Sequence, residues 1–285
     1  MPQKKKKRRK SPNRKSKKKT SWGKYFLVGF IAITLLATGF YLKEKIAFYY
    51  ASYFQRFEHK KLKNTASETE RIDRIVGEYA DKTFGLDISH YQNPNDIQWD
   101  SLSIGHRSIP LKFIILRATM GQQSQDRHFD RYWKKAKAHG LIRGAYHFYR
   151  PDEDPVKQAT NFLENVKLEQ GDLVPVLDIE KTPKKYTKAQ LKENLKIWLK
   201  IVEEKYGKKP ILYTYYHYYQ DNLRGEFDQY PLWLANYNNV LTPSPQDPWL
   251  LWQFTENGIV YGINTKVDLN VFNGSLGALK QLTVE

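Results

Sequence analysis

The 285-residue chain predicts an α/β fold: a (β/α) barrel with its last helices trimmed, placed after an N-terminal transmembrane helix. Three observations carry this expectation. Apolar, strand-like runs alternate with helical patterns from Thr83 onward, which is the pattern of a parallel sheet covered by helices. In the last third such runs crowd together, with too little chain between them for full helices. Near the N-terminus, residues 25–42 form an 18-residue stretch without a charge.

The N-terminal elements follow from charge. The chain carries a formal +17 and no cysteine, so disulfide scaffolds, Cys-liganded zinc and thiol nucleophiles are excluded. Residues 1–24 hold 13 Lys or Arg and no acid, whereas residues 83–285 hold 25 basic and 23 acidic side chains. The charge therefore belongs to a tail, and the body offers no electrostatic footprint for nucleic acid. Residues 25–42, as a helix, span about 27 Å, close to a bilayer's hydrocarbon core. Trp22, Tyr25 and Tyr41 stand at its ends, where an interfacial belt sits. A cleaved signal peptide is the rival reading, and the run is longer than a usual apolar signal core. The basic flank predicts a cytoplasmic N-terminus for residues 1–24, a single membrane pass over 25–42 and an extracytoplasmic remainder on the cell-wall side. Residues 43–82, aromatic and then charged, read as a stalk that spaces residues 83–285 from the membrane.

Five runs read as the first strands: residues 84–89, 113–119, 144–149, 173–180 and 211–216. Helical patterns at 127–139, 155–168 and 187–206 separate them. In the last of these, Leu191, Leu195, Trp198, Leu199 and Val202 share a face, with Thr187 as N-cap and Gly207 as terminator. Residues 231–237, 249–258 and 264–274 supply three more strands. Eight strands in about 200 residues is the lower edge for an eight-stranded barrel; an open doubly wound sheet is the runner-up. No G-x-G-x-x-G or P-loop follows a strand.

Carboxylates collect at strand ends. Asp178 and Glu180 close the fourth strand, two apart and so on one face, with Cα atoms about 6.6 Å apart. Asp87 ends the first strand and Asp268 lies in the last; closure makes those strands neighbours, so all four acids converge on one mouth. Like charges that close raise one another's pKa, and one protonated acid beside ionised partners is what glycosidic cleavage requires. The seven His residues form no H-x-x-x-H or H-E-x-x-H pair, and no G-x-S-x-G elbow supports a serine nucleophile. No metal or other cofactor is expected, and His147 reads as a core histidine. Tyr146, Phe148, Tyr213, Trp233, Tyr237 and Trp252 fall on the expected strands, and flat aromatic faces suit sugar rings.

The runs GLDISHYQ, FIILRATMG, GLIRGAYHFYRP, VPVLDIE, YTYY, WLANY, WQF and VDLNVFNG resemble, in order, the motifs of the family 25 glycoside hydrolases, the N,O-diacetylmuramidase-type lysozymes. The resemblance covers about residues 84–274. It implies a modified barrel of five β/α units followed by three strands with little helix. It also implies hydrolysis of the β-1,4 bond from N-acetylmuramic acid to N-acetylglucosamine in peptidoglycan, with retention. On this chain it makes Glu180 the proton donor. Asp178 becomes either the group that orients the substrate's 2-acetamido function or the nucleophile, and Asp87 and Asp268 complete the cluster. One departure is visible: the family often has Ala-Thr-Glu-Gly after the second strand, and this chain has Ala118-Thr119-Met120-Gly121. A chitinase-like hydrolase and a non-catalytic glycan-binding anchor are the alternatives. The former lacks its D-x-x-D-x-D-x-E run here, and the four acids argue against the latter. A monomeric domain with peptidoglycan as partner is the resulting expectation.

Overall fold

The computed structural model describes Thr34, residues 64–105 and residues 109–285. The chain divides into units over 1–55 and 56–285, and the barrel belongs to the second. The tail over 1–24 and, apart from Thr34, the transmembrane helix expected over 25–42 lie outside the described residues. Among the described residues no helix is long and apolar enough to cross a membrane.

The strands in chain order are β1 (Thr83–Ile88), β2 (Ser103–Ile104), β3 (Ile109–Pro110), β4 (Phe113–Met120), β5 (Ser124–Gln125) and β6 (Ile142–Phe148). They continue with β7 (Val176–Asp178), β8 (Ile211–Tyr215), β9 (Leu232–Ala235), β10 (Leu251–Gly258), β11 (Val260–Tyr261) and β12 (Val267–Phe272). Eight of them close a barrel. β1, β4, β6, β7, β8, β9 and β10 pair in parallel along that order, and β12 lies antiparallel between β10 and β1. The reversal has a simple cause. A parallel return needs a crossover of about a dozen residues or more, and the link over 259–266 is too short for one. All eight expected strands are present, and the open sheet is excluded by the β1–β4 pairing that closes the ring.

The helices are α1 (Ala66–Glu78), α2 (Phe129–Ala138), α3 (Pro155–Asn165) and α4 (Lys188–Tyr206), followed by a short C-terminal turn of helix at Leu276–Lys280. Thr187 caps α4 through a reciprocal bond with Gln190, and Gly207, at φ 68°, ends it. Full helices follow only β4, β6 and β7. After β1 the chain makes 3-10 turns at Pro94–Asp96 and Trp99–Ser101, and after β8 a brief helical stretch from Tyr216 to Leu223. The five β/α units expected are thus three complete and two abbreviated.

The stalk expected over 43–82 is corrected in its second half. Residues 66–78 form α1, whose buried stripe of Arg71, Ile72, Ile75 and Val76 lies on the outside of β10. Thr255 donates to Glu68 at 2.7 Å and Asn64 donates to the Asn257 carbonyl at 2.8 Å. A stripe with three aliphatic residues in a charged segment reads as a spacer by composition, yet it matches the uncovered flank of a barrel short of helices.

Inside the barrel, Phe113, Ile115, Val176, Ile211, Leu251 and Phe272 form one apolar cluster, and a larger one fills the layer between strands and helices. Gly85 is required by this packing, since a Cβ there would stand 2.4 Å from the Phe113 ring. Filling the lower barrel confines polar side chains to the C-terminal ends of the parallel strands and the adjoining N-terminal end of the antiparallel β12.

Candidate active site

Strand alternation decides which side chains reach the mouth. Val176 belongs to the inner cluster and Leu177 to the outer one, so Asp178 points inward again, and Glu180 follows two residues later. Asp87 is inward by the same count from Gly85. Asp268 is its direct cross-strand partner in the β1–β12 register. The four acids meet as expected.

Their surroundings set their protonation. Asp87 is buried, and burial raises it to about 6. That rise is held in check by Asn270 and Gln253, whose amides donate to Asp87 Oδ2 at 2.7 and 2.8 Å. Asp268 is pushed well above the usual carboxylate range, first by burial and then by the charge of Asp87, to which it donates a hydrogen bond. Glu180 is raised to about 7 by burial, against the opposing pull of Lys181 and the Tyr213 hydroxyl. Asp178 is raised well above its ordinary value by burial and by the charges of Glu180 and Asp87, with Arg117 and Lys181 pulling the other way. Its Oδ1 is buried and makes no hydrogen bond within the protein.

The six aromatics divide into three groups. Tyr146, Phe148 and Tyr237 are partly exposed at the mouth. Tyr213 and Trp233 are 5% and 2% exposed and continue the register of Asp178 across β8 and β9, their rings edge to face at 4.5 Å. Their polar tips serve the carboxylates: Tyr213 donates to Gln253 Oε1 at 2.7 Å and Trp233 Nε1 to Asn270 Oδ1 at 2.9 Å. Tyr237 donates to the same Gln253 oxygen. Gln253 and Asn270 thus have their oxygens occupied and their amide N–H groups turned to Asp87. Trp252 is the correction. It is wholly buried on the outer face of β10, against Tyr79, Trp249 and Phe254, and cannot touch a substrate in the barrel. Gln253 is inward, so its neighbour must be outward.

Several members of the site escape the sequence reading. Gln253 and Asn270 are signalled by polarity inside apolar strands, and Asn270 also by its spacing of two from Asp268. Tyr215, 37% exposed, shares the inward face with Tyr213. Arg117, inward on β4, is buried with Asp126 at 3.1 Å, and Asp126 also accepts from the His90 backbone at 2.8 Å. His147 lies outside the mouth. It bonds Thr119 and Gln158, stacks on Trp198 at 5.5 Å and is lowered to about 4 by burial. Among the described residues, no three His, Asp or Glu side chains are grouped to hold a metal ion.

Comparison with known proteins agrees with the fold. The sequence profile of the glycosyl hydrolases family 25 matches residues 86–263. YegX of Escherichia coli K12 is 34% identical, over 89% of this chain and 90% of that protein. Lysozyme M1 of Streptomyces globisporus is 30% identical, over 70% of each. The crystal structure of a bacterial lysozyme from Streptomyces coelicolor superposes with a TM-score of 0.63 at 28% identity, covering 71% of this chain and 97% of that one.

Proposed function

Because the chain belongs to family 25 of the glycosyl hydrolases, we propose that it is a muramidase that hydrolyses peptidoglycan at the β-1,4 bond from N-acetylmuramic acid to N-acetylglucosamine. One observation carries the reading: an acid raised to about 7 stands two residues from a carboxylate with a buried, unpartnered oxygen. Glu180 keeps its proton near neutrality and can pass it to the glycosidic oxygen as the bond breaks, then take one from water in the second half of the reaction. Asp178 Oδ1 is an acceptor with no protein donor. It either receives the N–H of the 2-acetamido group, whose oxygen then attacks the anomeric carbon, or attacks that carbon itself; both routes end in retained configuration. Asp87 and Asp268 share a proton beside the pair and set its field, and Arg117 and Lys181 pull Asp178 back toward its ionised form against burial and its acidic neighbours. Phe148, Tyr146, Tyr237 and Tyr215 offer ring faces along the mouth for the sugars. Membrane attachment through residues 25–42, with the catalytic unit on the cell-wall side, belongs to this proposal on sequence grounds.

The test uses the full-length chain and purified peptidoglycan. The wild type releases new reducing ends, and Glu180→Gln lowers the rate by about two to four orders of magnitude, the worth of a positioned general acid. Equal activity in the two proteins rejects the assignment.

A further inference from the structure

The mouth is not uniformly acidic. Met120, Phe148 and Asp178 are successive register partners across β4, β6 and β7, so one layer of side chains runs from the thioether to the catalytic pair. At about 4.8 Å per strand, Met120 stands roughly 10 Å from Asp178 along that layer. Arg150 is inward by alternation from Phe148 and over a third exposed. One arm of its guanidinium, Nη1, pairs with Glu153 at 3.2 Å. The other carboxylate oxygen of Glu153 is taken by the Gln122 backbone N–H at 2.7 Å. The second arm, Nη2, faces the Met120 sulfur at 3.6 Å, and a thioether is a weak acceptor. Next to it, Lys181 is exposed, in no ion pair among the described residues, with Nζ 5.6 Å above the Phe148 ring. Two cationic donors therefore stand at the mouth, Lys181 over the Phe148 ring and next in sequence to the proton donor, and Arg150 against Met120, the register partner of Phe148.

Resting on the muramidase reading, we propose that Lys181, over Phe148, and Arg150, against Met120, form a subsite for a carboxylate carried by the glycan strand. The chemistry is selective. A sugar face against Phe148 brings a carboxylate on that sugar, or on a peptide attached to it, between a guanidinium arm with a poor acceptor and an unpaired ammonium. A glutamate at position 120 would occupy the Nη2 arm and place a repelling charge in the same layer. Met120 thus keeps the cation available. The same Lys181 lowers Glu180 and Asp178, so a bound carboxylate also eases Glu180 toward its protonated, donating form.

The carboxylate has two chemical sources, the lactyl group of a muramic acid without its peptide, and the acids of the attached peptide. The full-length enzyme is assayed on peptide-free strands and on peptide-bearing strands, each against the same strand with its carboxylates converted to methylamides. The wild type shows a KM about three- to tenfold lower on the charged member of a pair, the span of one or two partly exposed ion pairs. A preference on peptide-free strands assigns the lactyl carboxylate; one on peptide-bearing strands assigns the peptide. Lys181→Met and Met120→Glu each bring the ratio toward one. Because the ratio compares two substrates in the same variant, the shift of Glu180 caused by the substitution itself, common to both substrates, cancels. A wild-type ratio of one on both strand types, or a ratio that either variant leaves unchanged, overturns the subsite while leaving the muramidase reading intact. If the wild type cleaves no strand, it is that reading which fails.

Discussion

Glu180→Gln should lower catalysis by about two to four orders of magnitude and, at alkaline pH, stabilise the fold. The ordinary value for a glutamate is 4.5, and burial holds Glu180 at about 7. At about 1.4 kcal/mol for each tenfold change in proton affinity, the native state loses roughly 3 kcal/mol when this group ionises. Between pH 4.5 and 7 the native chain binds more protons here than the unfolded chain does, so stability falls as pH rises through that window and is level above it. Glutamine cannot ionise and mimics the protonated acid in shape. At pH 8 the variant should therefore exceed the wild type by about 2–3 kcal/mol, or about 4–12 °C in Tm for a domain of this size. At pH 4 the two should be nearly equal. Thermal unfolding of both full-length proteins across pH 4–8, followed by near-ultraviolet circular dichroism, reads the difference directly. The same proton sets activity, so the wild-type rate should fall as pH rises through about 7. A variant no more stable than the wild type at pH 8, or equally stabilised at both pH values, would refute the claim that Glu180 is held protonated against its solvent preference.

Two further outcomes separate the site from its supports. Trp252→Ala removes a fully buried outer-face side chain and should cost about 3–5 kcal/mol in chemical denaturation; KM for peptidoglycan below the new Tm should stay put, and a raised KM would return Trp252 to the cleft. The charge-free run over 25–42 predicts that the full-length chain stays with membranes after an alkaline carbonate wash, and release into the wash would remove the tether.

What could be read from the sequence, and what could not, follows from the two parities of a strand. Alternation fixes which residues of one strand share a face, so Asp178 and Glu180 could be paired without any structure. It does not say which face is inside. That is settled by the neighbours that fill the barrel, and here Phe113 against Gly85 and Val176 in the inner cluster decide it. Trp252 reads as a cleft aromatic by residue type, but Leu251 and Gln253 face inward, and the tryptophan is turned to the helix layer. Trp233 shows the complementary limit. Its position and face were both legible, yet its role was not. At 2% exposure it is not a platform for sugar; its indole N–H holds Asn270, and Asn270 holds Asp87. Amide side chains such as Gln253 and Asn270 carry no catalytic signature by type. Only the closure of the barrel shows that they link the buried Tyr213 and Trp233 to Asp87.

The same closure explains α1. A barrel whose later strands lack crossover helices leaves the outer faces of β9 and β10 uncovered, and Trp252 and Phe254 are too large to leave in water. Burial of a side chain of that size is worth about 1.5–3 kcal/mol relative to exposure, so the flank needs a cover from elsewhere in the chain. α1 provides it with Ile72, Ile75 and Val76, and Tyr79 adds edge-to-face contacts at 5.9 Å to Trp249 and 5.8 Å to Trp252. Its polar face is tied down by Glu68 to Thr255. The helix that looked like a spacer before the catalytic domain is the piece that completes its outer layer. Asn64, whose amide donates to the Asn257 carbonyl of β10, is already held by the barrel, so α1 is part of the folded unit and not a spacer ahead of it.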